Sequence, residues 1–139
     1  MTIINPEALG TPRGWSNGIL APAGGRVLFV AGQTATDADG RVADRGFVAQ
    51  FETALARALA VLTAAGGRPE HVGRMTVYVT DMEAYRSSRP RLGEVWRRHM
   101  GRWYPAMALV AVSALVDPDA AVEIEMTAVV PEAPEGGDR

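Results

Sequence analysis

The sequence predicts an α+β domain, one sheet with two helices packed on a single face. Three observations lead there: strand-length segments whose side chains alternate in and out, two helical stretches that each carry one apolar stripe, and a length of 139 residues. The element order reads β-β-α-β-α-β-β, with no internal repeat or linker. A helix with one apolar stripe has one surface to bury, so both helices are expected on the same side of the sheet. A single domain over residues 1–130 follows, with a Pro/Gly/acidic tail from Pro131 to Arg139 expected to be disordered.

Met1 to Arg13, with Pro6, Gly10 and Pro12, reads as an irregular arm. Gly14 to Leu20 is a short strand weakened by two glycines. Ala21-Pro22-Ala23-Gly24-Gly25 is a turn and Arg26 to Ala31 a strong strand, so these segments are expected to form a hairpin. Gly32 to Asp37 leaves the strand, and Asp39-Gly40 turns the chain again. In the first helix Phe47, Phe51, Leu55, Ala58, Leu59 and Leu62 share a stripe, with Gln50, Glu52, Arg57 and Thr63 off it. Asp44 is a candidate N-cap, and Gly66-Gly67 supplies the left-handed residue that ends the helix. Arg74 to Thr80 alternates as a strand, closed by Asp81. The second helix is expected to begin near Arg89 or Pro90, because proline fits only an opening turn. It turns Leu92, Val95, Trp96, His99 and Met100 inward and pairs Glu94 with Arg98 outside.

The stretch from Tyr104 to Val130 holds two more strands, joined by Val116-Asp117-Pro118-Asp119. In the second, Glu123 and Glu125 share one face, while Val122, Ile124 and Met126 share the other. The apolar row packs on helices, which leaves the glutamates facing water, a cleft or a partner subunit. With both helices on one side, the other side of the sheet has no cover. Ala108, Val110 and Val112, or else Met107, Leu109 and Ala111, would form an exposed apolar surface there. That predicts an oligomer which buries it.

Composition removes several functions. A net charge of −2 with no basic block argues against nucleic acid as a partner. The absence of cysteine excludes disulfides, thiolate catalysis and Cys-type zinc sites. His71 and His99 lie far apart without metal-ligand spacing, so no metal is expected. His71 reads as solvated and His99 as packing. Ser16, Ser87 and Ser88 have no His/Asp partners in view, which disfavours a serine hydrolase. No apolar run reaches membrane-spanning length and the N-terminus lacks a signal pattern, so the default is a cytoplasmic protein without membrane association.

Five segments in order carry a family likeness: Phe29-Val30-Ala31-Gly32-Gln33, Leu62-Thr63-Ala64-Ala65-Gly66-Gly67, Val77-Tyr78-Val79-Thr80-Asp81-Met82, Tyr104-Pro105-Ala106 and Val122-Glu123-Ile124-Glu125. Together they resemble the RidA (YjgF/YER057c/UK114) family over residues 14–130. The resemblance implies a chorismate-mutase-like fold and a homotrimer whose sheets line a central barrel. It also implies small-molecule clefts between subunits and no metal or organic cofactor. Deaminase-type members hydrolyse enamines and imines such as 2-aminoacrylate, gripping the substrate carboxylate with an arginine just after a Pro-Ala pair. Here Pro105-Ala106 is followed by Met107. The family's serine before Gly-Gln is Ala31, its tyrosine falls on Trp15, its asparagine at the second helix on Arg89, and the cysteine of some members on Leu109. Its strand glutamate matches Glu123, with one extra residue in the preceding turn.

By this likeness Glu123 is the expected general base, Gly32 offers a backbone N–H to substrate oxygen, and Trp15, Ala31, Arg89, Met107 and Leu109 bind substrate. Burial of Glu123 beside Trp15 and Met107 would raise its pKa towards neutrality. A thioether donates no hydrogen bond, so a simple 2-imino acid should bind poorly, and Arg89 or Arg13 is left to supply the missing charge. The segments Pro12 to Gly18 and Pro105 to Met107 are similar to a branch without the arginine, which includes proteins resembling 2-aminomuconate deaminase. The alternative is a non-catalytic trimer that binds a metabolite, or a holdase.

Overall fold

The computed structural model of the chain describes residues 1–42 and 46–132. Asp44 and residues 133–139 of the acidic tail lie outside the described residues. Two short strands, β1 (Thr2–Ile4) and β2 (Gly18–Leu20), pair antiparallel as a separate ribbon, with Ile3 opposite Ile19. The main sheet contains β3 (Arg26–Gln33), β4 (Val72–Val79), β5 (Ala106–Ala111) and β6 (Val122–Val130), ordered β3-β6-β4-β5. β6 runs antiparallel to both neighbours, and β5 lies parallel to β4 at the edge.

The hairpin expected between residues 14–20 and 26–31 does not form. β2 keeps only three residues in strand conformation and pairs with the arm, which is therefore not irregular throughout. The eight residues of β3 pair instead with the nine of β6, a partner of matching length. Long-range pairing of this kind leaves no local mark in the chain.

Among the described residues three α-helices connect the strands: α1 (Phe47–Ala64), α2 (Met82–Ser87) and α3 (Arg89–Met100). α1 lies across β3 and β6, and α3 packs on α1. Phe51, Ala54, Leu55, Ala58 and Leu62 bury the apolar face of α1 against Val72, Met75, Val77, Ile124 and Met126. With 18 residues and a mean hydropathy of 1.3, α1 reaches the lower limit of a membrane-spanning helix. Its apolar stripe is already covered by the sheet, as in the core helix of a globular domain. The helix ends as expected. Gly66, at φ 82°, donates to Thr63 O and Gly67 donates to Leu62 O, which satisfies two terminal carbonyls.

α2 has no counterpart in the sequence reading, which gave Asp81 only the role of closing a strand. Its carboxylate accepts the N–H groups of Glu83 (3.0 Å) and Ala84 (3.2 Å), the geometry of an N-cap. α3 begins at Arg89, with Pro90 in its first turn, as expected. The pair Glu94–Arg98 is replaced by a tertiary one: Arg98 reaches Glu52 on α1 at 2.9 Å. His99 meets the same Glu52 oxygen at 3.0 Å, so it is a polar bridge between helices rather than apolar packing. Gln50, read as lying off the stripe, is buried. Its side-chain carbonyl accepts the Ala121 N–H at 2.8 Å, and its amide donates to Asp119 O at 3.3 Å.

β6 alternates without a break: Val122, Ile124, Met126, Ala128 and Val130 are buried under the helices, with Glu123 and Glu125 on the reverse. On β5, Met107 and Leu109 pack towards the core, while Ala108 and Val110 face the open side. That open side also exposes Val27 (57%) and Phe29 (78%).

Hydrogen bonds from His99, then Arg98, hold the Glu52 carboxyl below its ordinary value of 4.5. A depressed folded pKa stabilises fully above the unfolded value, and that contribution is lost as pH falls through the lower folded value. In thermal melts across pH, Glu52→Gln is expected to melt below wild type at neutral pH, with the gap closing in acid below about pH 4.

Candidate functional site

The residues singled out in the sequence fall into two groups. Trp15, Arg89, Met107 and Leu109 line one cleft of about 560 Å³, with Arg13 and Tyr85. It is built from the N-terminal arm, the α2–α3 corner and the edge strand β5. A smaller adjoining cavity of about 220 Å³ runs from Met107 and Leu109 inward to Trp96 and Tyr104, whose rings stack at 5.8 Å.

Alternation along β5 sends Met107 and Leu109 to the helix side. The arm is held over them by Ser16. Its hydroxyl donates to Tyr104 O at 2.6 Å, its N–H donates to Pro105 O at 3.0 Å, and it bridges to Ala106 in parallel. Ser16 is buried, so this anchor is shielded from competing water. Trp15 is thereby set beside β5, its indole N–H donating to Asn17 Oδ1 at 3.2 Å. Arg89, the first residue of α3, places its guanidinium 5.6 Å from the centre of the Tyr85 ring.

Ala31, Gly32 and Glu123 form the second group. Val30 pairs with Met126 and Gln33 with Ile124, so Ala31 and Gly32 together oppose Glu125 in a β-bulge. The bulge brings the Gly32 backbone against Glu123. A Cβ at Gly32 would overlap that carboxylate, lying 2.8 Å from its Cδ and 3.0 Å from its Cγ. Glycine here permits the close approach rather than a special φ, and a side chain at this position would make the flexible Glu123 carboxylate turn aside. The two strand glutamates differ in their surroundings. Glu125 accepts the Tyr78 O–H at 2.7 Å, which holds the phenol above its usual pKa. Glu123 accepts no hydrogen bond from the described residues.

These groups lie on opposite faces of the sheet. Glu123 pairs across the strands with Tyr78, and Tyr78 with Val110, so all three point to the open side. Met107 pairs with Met75, which is buried under the helices. Within one chain Glu123 is therefore not beside Trp15 and Met107, and the apolar contact expected to raise its pKa is not made there. Arg13 and Arg89, offered as alternatives for the missing charge, line the same cleft. Tyr85 was missed with α2, although Asp81 followed by Glu83 in the first turn is a readable helix start. A cavity of about 570 Å³ lined by His71, Trp103 and Pro131 contains none of the expected residues.

A family model described as Endoribonuclease L-PSP matches residues 6–130. The chain is 34% identical to protein DfrA of Myxococcus xanthus over 125 residues, 89% of this chain and 88% of the relative. Among solved structures, the Rid-family protein YyfB of Yersinia pestis superimposes with a TM-score of 0.81 at 30% identity, covering 93% of this chain and 98% of the other. RidA from an Antarctic Psychrobacter is 31% identical with a TM-score of 0.65, covering 91% and 94%.

Gly32→Ala is expected to turn the Glu123 carboxylate away from the bulge while the β3–β6 register persists. A crystal structure of the variant, compared with wild type, reads the displacement directly, and an unmoved Glu123 contradicts the close-approach argument.

Proposed function

This chain belongs to the endoribonuclease L-PSP family, in which the Rid and YjgF proteins fall, and on that premise we propose that it hydrolyses enamines or imines in clefts between three identical subunits. The observation that carries this reading is the division of the site residues between two faces of one sheet. Glu123, with the Gly32 backbone against it, stands on an open side that also exposes Val27 and Phe29, while Met107 and Trp15 stand at the cleft near the β5 edge. A second copy covering the open side would bring one wall to the other and remove the apolar surface from water.

The chemistry needs one proton shuttle and one oxyanion contact. An enamine tautomerises to its imine, and water adds to the C=N carbon. Glu123 takes a proton from the attacking water as the C–O bond forms and returns it to the imine nitrogen, giving a neutral carbinolamine. Glu123 then takes the carbinolamine hydroxyl proton and delivers it to the amine as the C–N bond breaks, so that ammonia leaves and a carbonyl remains. In this reading the Gly32 N–H holds the developing oxygen charge. Glu123 suits the task because its carboxylate, unlike that of Glu125, accepts no hydrogen bond from the described residues.

Met107 supplies no donor where the family resemblance puts an arginine, so the substrate is not a simple 2-imino acid. With Leu109 and Trp15 it makes a wall suited to a larger conjugated enamine. The same methionine favours a second reading, a trimer that binds a metabolite without turning it over. Ammonia release from enamines generated in solution separates the two.

Glu123→Gln is expected to keep the wild-type sedimentation coefficient of a trimer while turnover falls about 10²–10⁴-fold. Unchanged turnover removes Glu123 from the mechanism, and a monomer in sedimentation removes the shared cleft.

A further inference from the structure

The smaller cavity beside the cleft has walls that the proposed chemistry does not use. Its volume is about 220 Å³, and its inner lining belongs to the core: Phe51, Val77, Leu92, Trp96 and Tyr104. Met107, Leu109, Tyr85 and Arg89 line both spaces, so one bound molecule can extend from the cleft into the cavity. Among the described residues Arg89 is the one charged group on its wall, and that guanidinium lies over the Tyr85 ring. The two inner rings are fixed. Trp96 donates its indole N–H to Trp103 O at 3.1 Å, and Tyr104 O accepts the Ser16 hydroxyl at 2.6 Å. Their planes lie 5° apart with centroids at 5.8 Å, an offset stack.

Gly93 supplies a second, independent observation. It lies inside α3, where glycine costs helix stability relative to alanine. Its φ is not positive, and a Cβ there would meet no atom within 4 Å. Neither backbone conformation nor close packing therefore asks for glycine. What the missing side chain does is leave one wall of the cavity bare. An apolar cavity of about 150 Å³ is enough for benzene. At about 220 Å³ this one fits a six-membered ring with a short substituent. Building on the proposed hydrolase, we infer that the cavity is a selectivity pocket for a neutral aromatic ring, and that the preferred substrate is an aryl-substituted enamine or imine. The ring lies against Trp96 and Tyr104, and the reacting carbon stays in the outer cleft beyond Met107.

Fluorobenzene tests the pocket without turnover, through its fluorine resonance as the intact protein is titrated. Saturable binding is expected. Leu109→Trp fills the neck shared by the two spaces, and Gly93→Leu adds a side chain to the bare wall. Each should weaken binding about tenfold or more, with circular dichroism unchanged. Ala23→Trp, in the separate cavity beside Trp103, should leave it at the wild-type value. No saturable binding, binding unchanged in both filled variants, or loss with Ala23→Trp alone overturns the inference. Fluorobenzene has no C=N group, so the two readings fail separately. Ammonia release from enamines without fluorobenzene binding sinks the ring pocket alone. Binding that the filled variants lose, with no ammonia from any enamine, upholds the pocket and sinks the hydrolase.

Discussion

The two-way alternation of β6 is the constraint on which the remaining structure rests. Its five inward residues, from Val122 to Val130, meet the helices, and that burial holds α1 against the sheet. A one-residue slip would drive Glu123 and Glu125 into the core, where an unpaired carboxylate is strongly unfavourable. Register is therefore set by charge as much as by apolar area. The same alternation sends the glutamates to the side that no helix covers. The core and the Glu123 half of the candidate site are two faces of one strand.

The β3–β6 bulge refines this plan at one point. By inserting Ala31 and Gly32 opposite Glu125, it bends β3 and brings a side-chain-free backbone against Glu123. Tyr78 meanwhile engages Glu125. Of two carboxylates two residues apart, one is tied to a phenol and the other lies against the Gly32 backbone. At the far edge of the sheet, buried Ser16 does comparable work for the arm, fixing Arg13 and Trp15 near Met107 through two hydrogen bonds to the chain around Pro105.

Much of this was legible in the chain because it rests on local periodicity. The stripe of α1, the glycine stop at Gly66, the start of α3 and the in–out order of β6 all follow from spacing. So does the open apolar side, although only the structure separates Ala108 and Val110 from Met107 and Leu109. What escaped was tertiary. Glu52 binds Arg98 and His99 across helices, which outcompetes a solvated i,i+4 pair, and Gln50 is buried because a loop distant in sequence supplies its partners. The pairing of β1 with β2, and of β3 with β6, is likewise invisible to a local pattern. α2 is the exception, a short helix whose acidic cap was present but read as a strand end. The site residues were individually identified, yet their distribution over two faces required the sheet.

That distribution makes the central claim directly testable by subunit mixing. One variant would carry Trp15→Ala and Arg89→Gln, spoiling the cleft wall, and the other Glu123→Gln, spoiling the acid wall. If each site draws one wall from each of two neighbouring copies, co-refolding equal amounts of the inactive variants should restore ammonia release at about a quarter of the sites. No recovery, with mixed oligomers verified by mass, would mean that both walls come from a single chain and would contradict the shared site.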